Sequence, residues 1–361
     1  MSSFTVVIPL YNKRPHIERA LSSVFAQTEA PAEIFVVDDA STDGGLDEVV
    51  RHRDERLKIL RRSEPGPGGY AARNMAILRA QSEWIAFLDA DDAWSPDHLA
   101  TIRATLVQSG EPDRIACVFA GYSNIYPDGR READRYTLQM GRREARTMDF
   151  AALLTAWLDL KECPIWTSAS AFRRQALIDA GLFPAGRCVR GGDKDLWLRV
   201  THNGRAIAAP GMTAIYHRDA TNMVTRRSST DARHCLCETI GMMLPTAPEP
   251  IRPLLRKLFN QEVYQYALYA AKHRKVNPDF WRGFYAQEDP LRFLILAGLS
   301  THAGAYAARR LGQVVQRYRG RTSLPERARR LAGDLDSRIG RRALAESSSR
   351  RPLAYCGEVS R

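Results

Sequence analysis

Along the first third of the chain, short and mostly apolar runs alternate with stretches whose apolar positions recur every three or four residues. Residues 4–10 (FTVVIPL) form the first run, β-branched and ending just past Pro9, which predicts a strand. Behind Pro15, which suits the first turn of a helix, Ile17, Ala20, Leu21, Val24 and Phe25 recur at helical spacing and define one apolar face. The runs 32–37 (AEIFVV), 57–60 and 84–88 (WIAFL) predict three more strands, with a helix over 70–80 between the last two. The run 84–88 is apolar at every position, the pattern of a strand buried on both faces, as in a parallel sheet covered by helices. The order β-α-β-α-β-α-β with right-handed crossovers therefore predicts an α/β fold with a doubly wound, mostly parallel sheet.

Farther on, the pattern predicts a helix over 96–110, a strand over 115–125 with a turn at Pro127-Asp128-Gly129, and a polar, exposed stretch over 130–148. An amphipathic helix over 149–160, a strand-like run over 165–172, a short helix over 174–180 ending at Gly181, a helix over 191–199 and a strand over 206–217 follow. Helical spacing returns at 262–271, 291–299 and 305–319, with no internal repeat. These signals divide the chain into a catalytic domain over 1–225, a basic helical C-terminal region over 226–345 and a disordered tail over 346–361.

The net charge of +12 changes this picture only at the end of the chain. From residue 251 onward there are 22 Lys and Arg against 9 Asp and Glu, whereas residues 1–250 are close to neutral with 31 against 32. In 305–319, Ala307, Leu311, Val314 and Val315 lie opposite Arg309, Arg310, Arg317 and Arg319, the pattern of a helix packed on the catalytic domain or of one lying on an anionic membrane surface. No aromatic-interleaved basic motif points to nucleic acid. The most apolar later stretch, 293–308, holds Ser300, Thr301 and His302 and is too short to predict a membrane span. Six scattered cysteines without paired CxxC units and a start without a basic leader predict reduced thiols and a cytoplasmic protein, peripheral to the inner membrane face if the basic helix binds lipid.

The candidate chemistry lies where the strands leave the core. The run 84–88 ends in Asp89, Asp91 and Asp92, and 32–37 ends in Asp38 and Asp39, both at the strand ends where open α/β sheets bind ligands. Asp89 and Asp91 point to one side if the segment stays extended, and paired hard oxygens suit Mg2+ or Mn2+ held together with a substrate diphosphate; a solvated acidic turn is the plainer alternative. The junction EPGPGGYAARN lacks a phosphate-loop signature, yet glycines before a helix N-terminus can take an anion, with Arg73 and Asn74 as further donors. Asp193 and Asp195 fall in the first turn of the 191–199 helix, where acids also serve as plain helix caps.

Five motifs in this order, VVIPLYN (6–12), VVDDASTD (36–43), GGYAARN (68–74), FLDADD (87–92) and GGDKDLWLR (191–199), resemble the inverting family 2 glycosyltransferases with the GT-A fold, over roughly residues 3–225. The resemblance implies a Rossmann-like nucleotide-binding half in which Pro9, Tyr11 and Asp39 hold the nucleobase, Asp38 beside them, Arg73 near base or phosphates and Asp89 toward the ribose. It implies Asp91 as a metal ligand with His217 near the metal or diphosphate, and Mn2+ or Mg2+ as cofactor. Asp193 matches the general base, but Gly192 stands where relatives often carry Glu, which leaves Asp195 as an alternative; two residues apart on a helix, the two acids point about 200° apart. Trp166, Thr167, Ser168 and Arg190 would line the acceptor side. The implied reaction moves one sugar from a nucleotide-sugar donor, a UDP-sugar by analogy, to a glycan or lipid-linked acceptor in cell-envelope polysaccharide synthesis. Two other classes use some of the same features: a nucleotidyltransferase, which carries a Gly-rich basic loop after its first strand where this chain has Leu10 to Arg14, and a non-catalytic membrane-surface protein, which leaves the five motifs unused.

Overall fold

The computed structural model describes residues 3–188, 190–220, 235–271, 276–304 and 306. Its first half alternates as the hydrophobic pattern requires: β1 (Phe4–Leu10), α1 (Arg14–Phe25), β2 (Glu33–Asp38), α2 (Gly45–Val50), β3 (Leu57–Arg61), α3 (Tyr70–Arg79) and β4 (Trp84–Phe87). Then come β5 (Ala93–Trp94), α4 (His98–Gln108), β6 (Ile115–Ile125), β7 (Arg131–Ala133), α5 (Arg135–Met140), β8 (Arg146–Met148), α6 (Phe150–Leu160), β9 (Ser170–Arg173), α7 (Arg174–Asp179), α8 (Gly192–His202) and β10 (Arg205–His217). Three helices follow, α9 (Cys235–Met243), α10 (Arg252–Ala271) and α11 (Pro290–Leu299).

The ten strands form one sheet of order β3-β2-β1-β4-β9-β6-β10-β5, with β7 on β6 and β8 on β10. Strands β1, β2, β3 and β4 pair in parallel, as do β6 and β10. Between these two parallel sets β9 runs antiparallel to both β4 and β6 and joins them.

Each central strand feeds two cores. Val6, Ile8 and Leu10 of β1 face α1 and α4 through Ile17, Leu21, Leu99 and Ile102, while Val7 packs on the opposite side with Ala76, Ile77, Leu196 and Trp197 of α3 and α8. Strand β4 repeats the alternation, Trp84 and Ala86 to one side, Ile85 and Phe87 to the other. A third core joins Leu236, Ile240, Leu255, Leu258 and Leu296 of the C-terminal helices to Leu154 and Trp157 of α6 and Leu198 of α8.

Three stretches differ from the sequence pattern. The polar stretch 130–148 contains β7, α5 and β8, short elements made by pairing with β6 and β10 and by Asp134, whose side chain caps α5 by accepting from the Thr137 N–H. The strand expected over 165–172 begins as a 3-10 turn, Thr167–Ala169, and extends only from Ser170. Helix α9, with Cys235 and Cys237 buried, has no counterpart in the expected elements. The helix expected over 305–319, apart from Tyr306, and the tail 346–361 lie outside the described residues.

Candidate active site

The carboxyl ends of β1, β2 and β4 and the N-terminus of α8 open onto one cleft of about 510 Å3. At one end Pro9 and Leu10 close β1 and Tyr11 stands 43% exposed. Asp39 follows β2; its N–H donates to the Leu10 carbonyl at 2.8 Å, and its nearly buried carboxylate accepts from Arg62 and from the Gly66 N–H at 3.0 Å. Gly69, at φ 65°, turns the chain into α3 and lies against Pro9.

The acidic turn hangs from β4. The Asp92 N–H donates to the Asp89 carbonyl at 3.0 Å and closes it. Asp89 pairs with Arg73 of α3, which also donates to the Gly68 carbonyl at 2.7 Å. Asp91 Oδ2 lies 2.6 Å from Lys13 Nζ. Asp92 is buried beneath, where it accepts from Ser168 Oγ at 2.6 Å and from the His217 N–H at 3.3 Å. Burial, with the charges of Asp91 and Asp89 added, raises the Asp92 pKa well above the carboxylate range; burial also raises that of Asp89, against the pull of Arg73.

Helix α8 starts behind Gly191, at φ 76°, and the Gly192 N–H donates to the Tyr70 hydroxyl at 2.8 Å. A Cβ on Gly192 would come within 2.8 Å of both Pro184 and the Tyr70 ring, so glycine is required here by close approach. This accounts for the departure from a glutamate. Asp193 emerges half-buried in the cleft. Asp195 does not: it is fully buried on the other side of α8, accepting from Arg199 Nη2 at 2.7 Å and Nε at 3.1 Å and from Thr239 of α9. Of the two acids only Asp193 is open to the cleft.

Other expected site residues divide in the same way. Pro9, Tyr11, Asp39, Arg73, Asp89, Asp91, Trp166, Thr167, Arg190 and Asp193 all line the cleft. Asp38 is buried and caps the following turn by accepting from the Ser41 N–H, so it does not reach the cleft beside Asp39. Asn74 exchanges hydrogen bonds with the Phe183 backbone at 2.9 Å and is not part of the cleft wall. Ser168 is fully buried and braces the acidic turn by donating to Asp92 and accepting from the Asp89 N–H at 3.1 Å, so it lines no acceptor surface. The His217 ring lies outside the cleft wall in a cluster with Arg19, His16 and Asp219, near enough to Asp91 to feel its charge.

Asp92, singled out with the acidic turn, lines the cleft as well, and so do Lys13, Tyr70, Lys194, Tyr216, Gln265 and Tyr266, which were missed as site residues. Lys13 and Tyr70 lie in or beside the motifs already singled out, whereas Gln265 and Tyr266 sit in an unremarkable helical pattern whose position the sequence does not disclose.

The donor chemistry fits a hard divalent cation. Asp91 offers a carboxylate at the cleft that already sits against a cation, the Lys13 ammonium, within a cluster of three acids whose mutual repulsion a metal would relieve. Among the described residues no three His, Cys, Asp or Glu side chains converge into a complete cage, so substrate oxygens and water would supply the remaining ligands.

A mostly parallel sheet whose cleft ends in a carboxylate turn, with an acid at a facing helix N-terminus, is the architecture of the GT-A transferases. Residues 5–181 match the profile of Glycosyl transferase family 2, and the chain belongs to that family. Over 139 residues it is 44% identical to the succinoglycan biosynthesis protein ExoW of Rhizobium meliloti, covering 37% of this chain and 44% of that protein. Over 95 residues it is 39% identical to the UDP-Glc:alpha-D-GlcNAc-diphosphoundecaprenol beta-1,3-glucosyltransferase WfgD of Escherichia coli, covering 26% and 37%. The chain thus spans less than half the length of these curated relatives. Among solved structures it is similar to S. aureus TarS 1-349 in complex with UDP-GlcNAc, at TM-score 0.64 and 18% identity over 88% of this chain and 92% of that one. It is also similar to the mannosyltransferase PcManGT of Pyrobaculum calidifontis in complex with GDP-Man and Mn2+, at TM-score 0.53 and 20% identity over 85% and 87%. At these identities the likeness is one of fold.

Proposed function

We propose that this protein transfers one sugar, with inversion, from a UDP-sugar to a hydroxyl of a glycan or lipid-linked acceptor in cell-envelope polysaccharide synthesis. The observation that carries this reading is the convergence of Asp39, Arg73, Asp89, Asp91 and Asp193 on one cleft. Asp39, already accepting from an N–H and a guanidinium, would accept from a ring N–H of the base, with Pro9 and Tyr11 against its face. Asp89 would meet the ribose, and Arg73 would hold the phosphate end through the same guanidinium that orders the turn. Asp91 would hold Mn2+ or Mg2+; when bound, the ion neutralises charge on the departing diphosphate. Asp193 would accept the proton of the acceptor hydroxyl as it attacks the anomeric carbon, and no covalent enzyme intermediate is needed. The UDP reading is supported by the names of WfgD and the TarS complex.

Among the described residues no helix is long and apolar enough to cross a membrane. The exposed Leu291, Leu294 and Ile295 of α11 support a peripheral stance at the inner membrane face, which sedimentation with anionic vesicles tests. The function itself is tested with a nucleotide-sugar panel in Mn2+. The expected product is free UDP, with thermal stabilisation by UDP that depends on the metal. Release of pyrophosphate would make the protein a nucleotidyltransferase.

A further inference from the structure

Helix α10 begins 71 residues after the end of the family match, yet it reaches the catalytic cleft. Its Gln265 and Tyr266 line the same cavity as Asp193. Their position is set by structure around them. Glu262, one helical turn earlier and fully buried, accepts from Lys194 Nζ at 3.1 Å through both oxygens, and Lys194 follows Asp193 directly in sequence. Burial works against the Lys194 charge, but the Glu262 carboxylate outweighs it and raises the pKa. The Gln265 amide is oriented by donation to the Lys161 carbonyl at 2.6 Å. The base helix and α10 are thus tied together beside the base.

From this arrangement we propose that Gln265 and Tyr266 form, with Trp166, the subsite that receives the acceptor as a pyranose ring. The inference rests on the glycosyltransferase reading above and names what the acceptor is. Trp166 lines the cleft in an aromatic run, 4.3 Å from Tyr122 and 4.9 Å from Tyr216 between ring centroids, and Tyr266 brings another ring to the same cavity. Aromatic faces match the C–H faces of a pyranose and carry the bulk of the contact area. The Gln265 amide has both donor and acceptor atoms, the pair that neighbouring sugar hydroxyls require. Specificity for the acceptor is therefore written in part on a helix outside the matched family segment, which meets Trp166 of that segment across the cleft.

The test uses the full chain with Mn2+ and p-nitrophenyl glycosides of glucose, galactose and N-acetylglucosamine as acceptor probes, with UDP affinity measured in parallel. Tyr266→Ala and Gln265→Ala are each expected to raise the glycoside KM about tenfold, the scale of one lost stacking or hydrogen-bonding contact. UDP affinity should hold, and Tyr266→Phe should restore KM to within about threefold because the ring remains. Unchanged KM in both alanine variants overturns the proposal, as does a loss of UDP affinity that parallels the KM change. Wild-type protein that binds UDP but neither glycosylates any probe nor gives saturation-transfer signals with one overturns the pyranose assignment. Wild-type protein that binds no nucleoside diphosphate refutes the underlying function instead, so the two failures are told apart.

Discussion

Asp193 and Asp195 offer one substitution in two environments two residues apart. Asp193→Asn preserves shape at a half-buried position open to the cleft and is expected to leave the fold intact while lowering transfer on the order of a hundredfold or more, the scale of a lost general base. Asp195→Asn removes the charge of a fully buried carboxylate that pairs with the partly exposed Arg199. Breaking such a pair costs about 3–5 kcal/mol, and because Arg199 keeps the Ala180 and Leu182 carbonyls as acceptors the lower end, about 3 kcal/mol, applies. At roughly 2–4 °C per kcal/mol this is a fall in Tm on the order of 10 °C. Well below that Tm, turnover should stay within a few-fold of wild type. Differential scanning fluorimetry and sugar transfer at 20 °C, on both variants, give the four numbers needed. A stable but inactive Asp195→Asn beside an active Asp193→Asn would refute the assignment of roles.

Asp91→Ala should abolish the part of UDP stabilisation that depends on Mn2+; retention of that part in a thermal-shift titration counts against Asp91 as the metal's carboxylate. Gly192→Ala should cost about 1–3 kcal/mol and reduce kcat, because its methyl group meets Pro184 and Tyr70 and displaces the start of the base helix; a neutral variant would show that the contact yields. His98 is fully buried against Trp94, with Nδ1 2.7 Å from Thr213 Oγ1, and burial pushes its pKa down to about 3 from 6.5. Between these values the unfolded chain binds the proton and the folded one does not, so the contribution is complete above pH 6.5 and lost as pH falls, about 2 kcal/mol by pH 5. Denaturant unfolding of wild type and His98→Asn checks this: the difference between their slopes of stability against pH should appear in that window, and parallel slopes would contradict it.

The parallel half of the sheet was legible because β1, β2 and β4 are buried on both faces and their runs are almost wholly apolar, the buried Thr5 and Glu33 satisfying each other. The carboxylates at their ends were legible for the same reason, since polarity begins where the sheet stops. What was not legible depended on partners distant in sequence. Helical geometry says that Asp193 and Asp195 diverge, but only Thr239, 44 residues on from Asp195, shows which of them is enclosed. Ser168 reads as a sugar-binding hydroxyl until Asp92 is seen to hold it. Gln265 and Tyr266 carry no local mark, because what matters in them is the cavity they reach.

Strand β9 also bears on how the chain is made. Strands β1 to β4 lie within the first 87 residues and are joined by local crossovers, so they can pair early as the chain emerges from the ribosome. Until residues 170–173 follow, β4 has no neighbour on its outer side, and that side is the apolar segment Trp84–Phe87. An open apolar edge invites pairing with another copy, so synthesis passes through an interval of aggregation risk that ends when β9 docks. Nascent chains stalled before residue 170 should accordingly bind chaperone, and chains stalled well beyond it should be released.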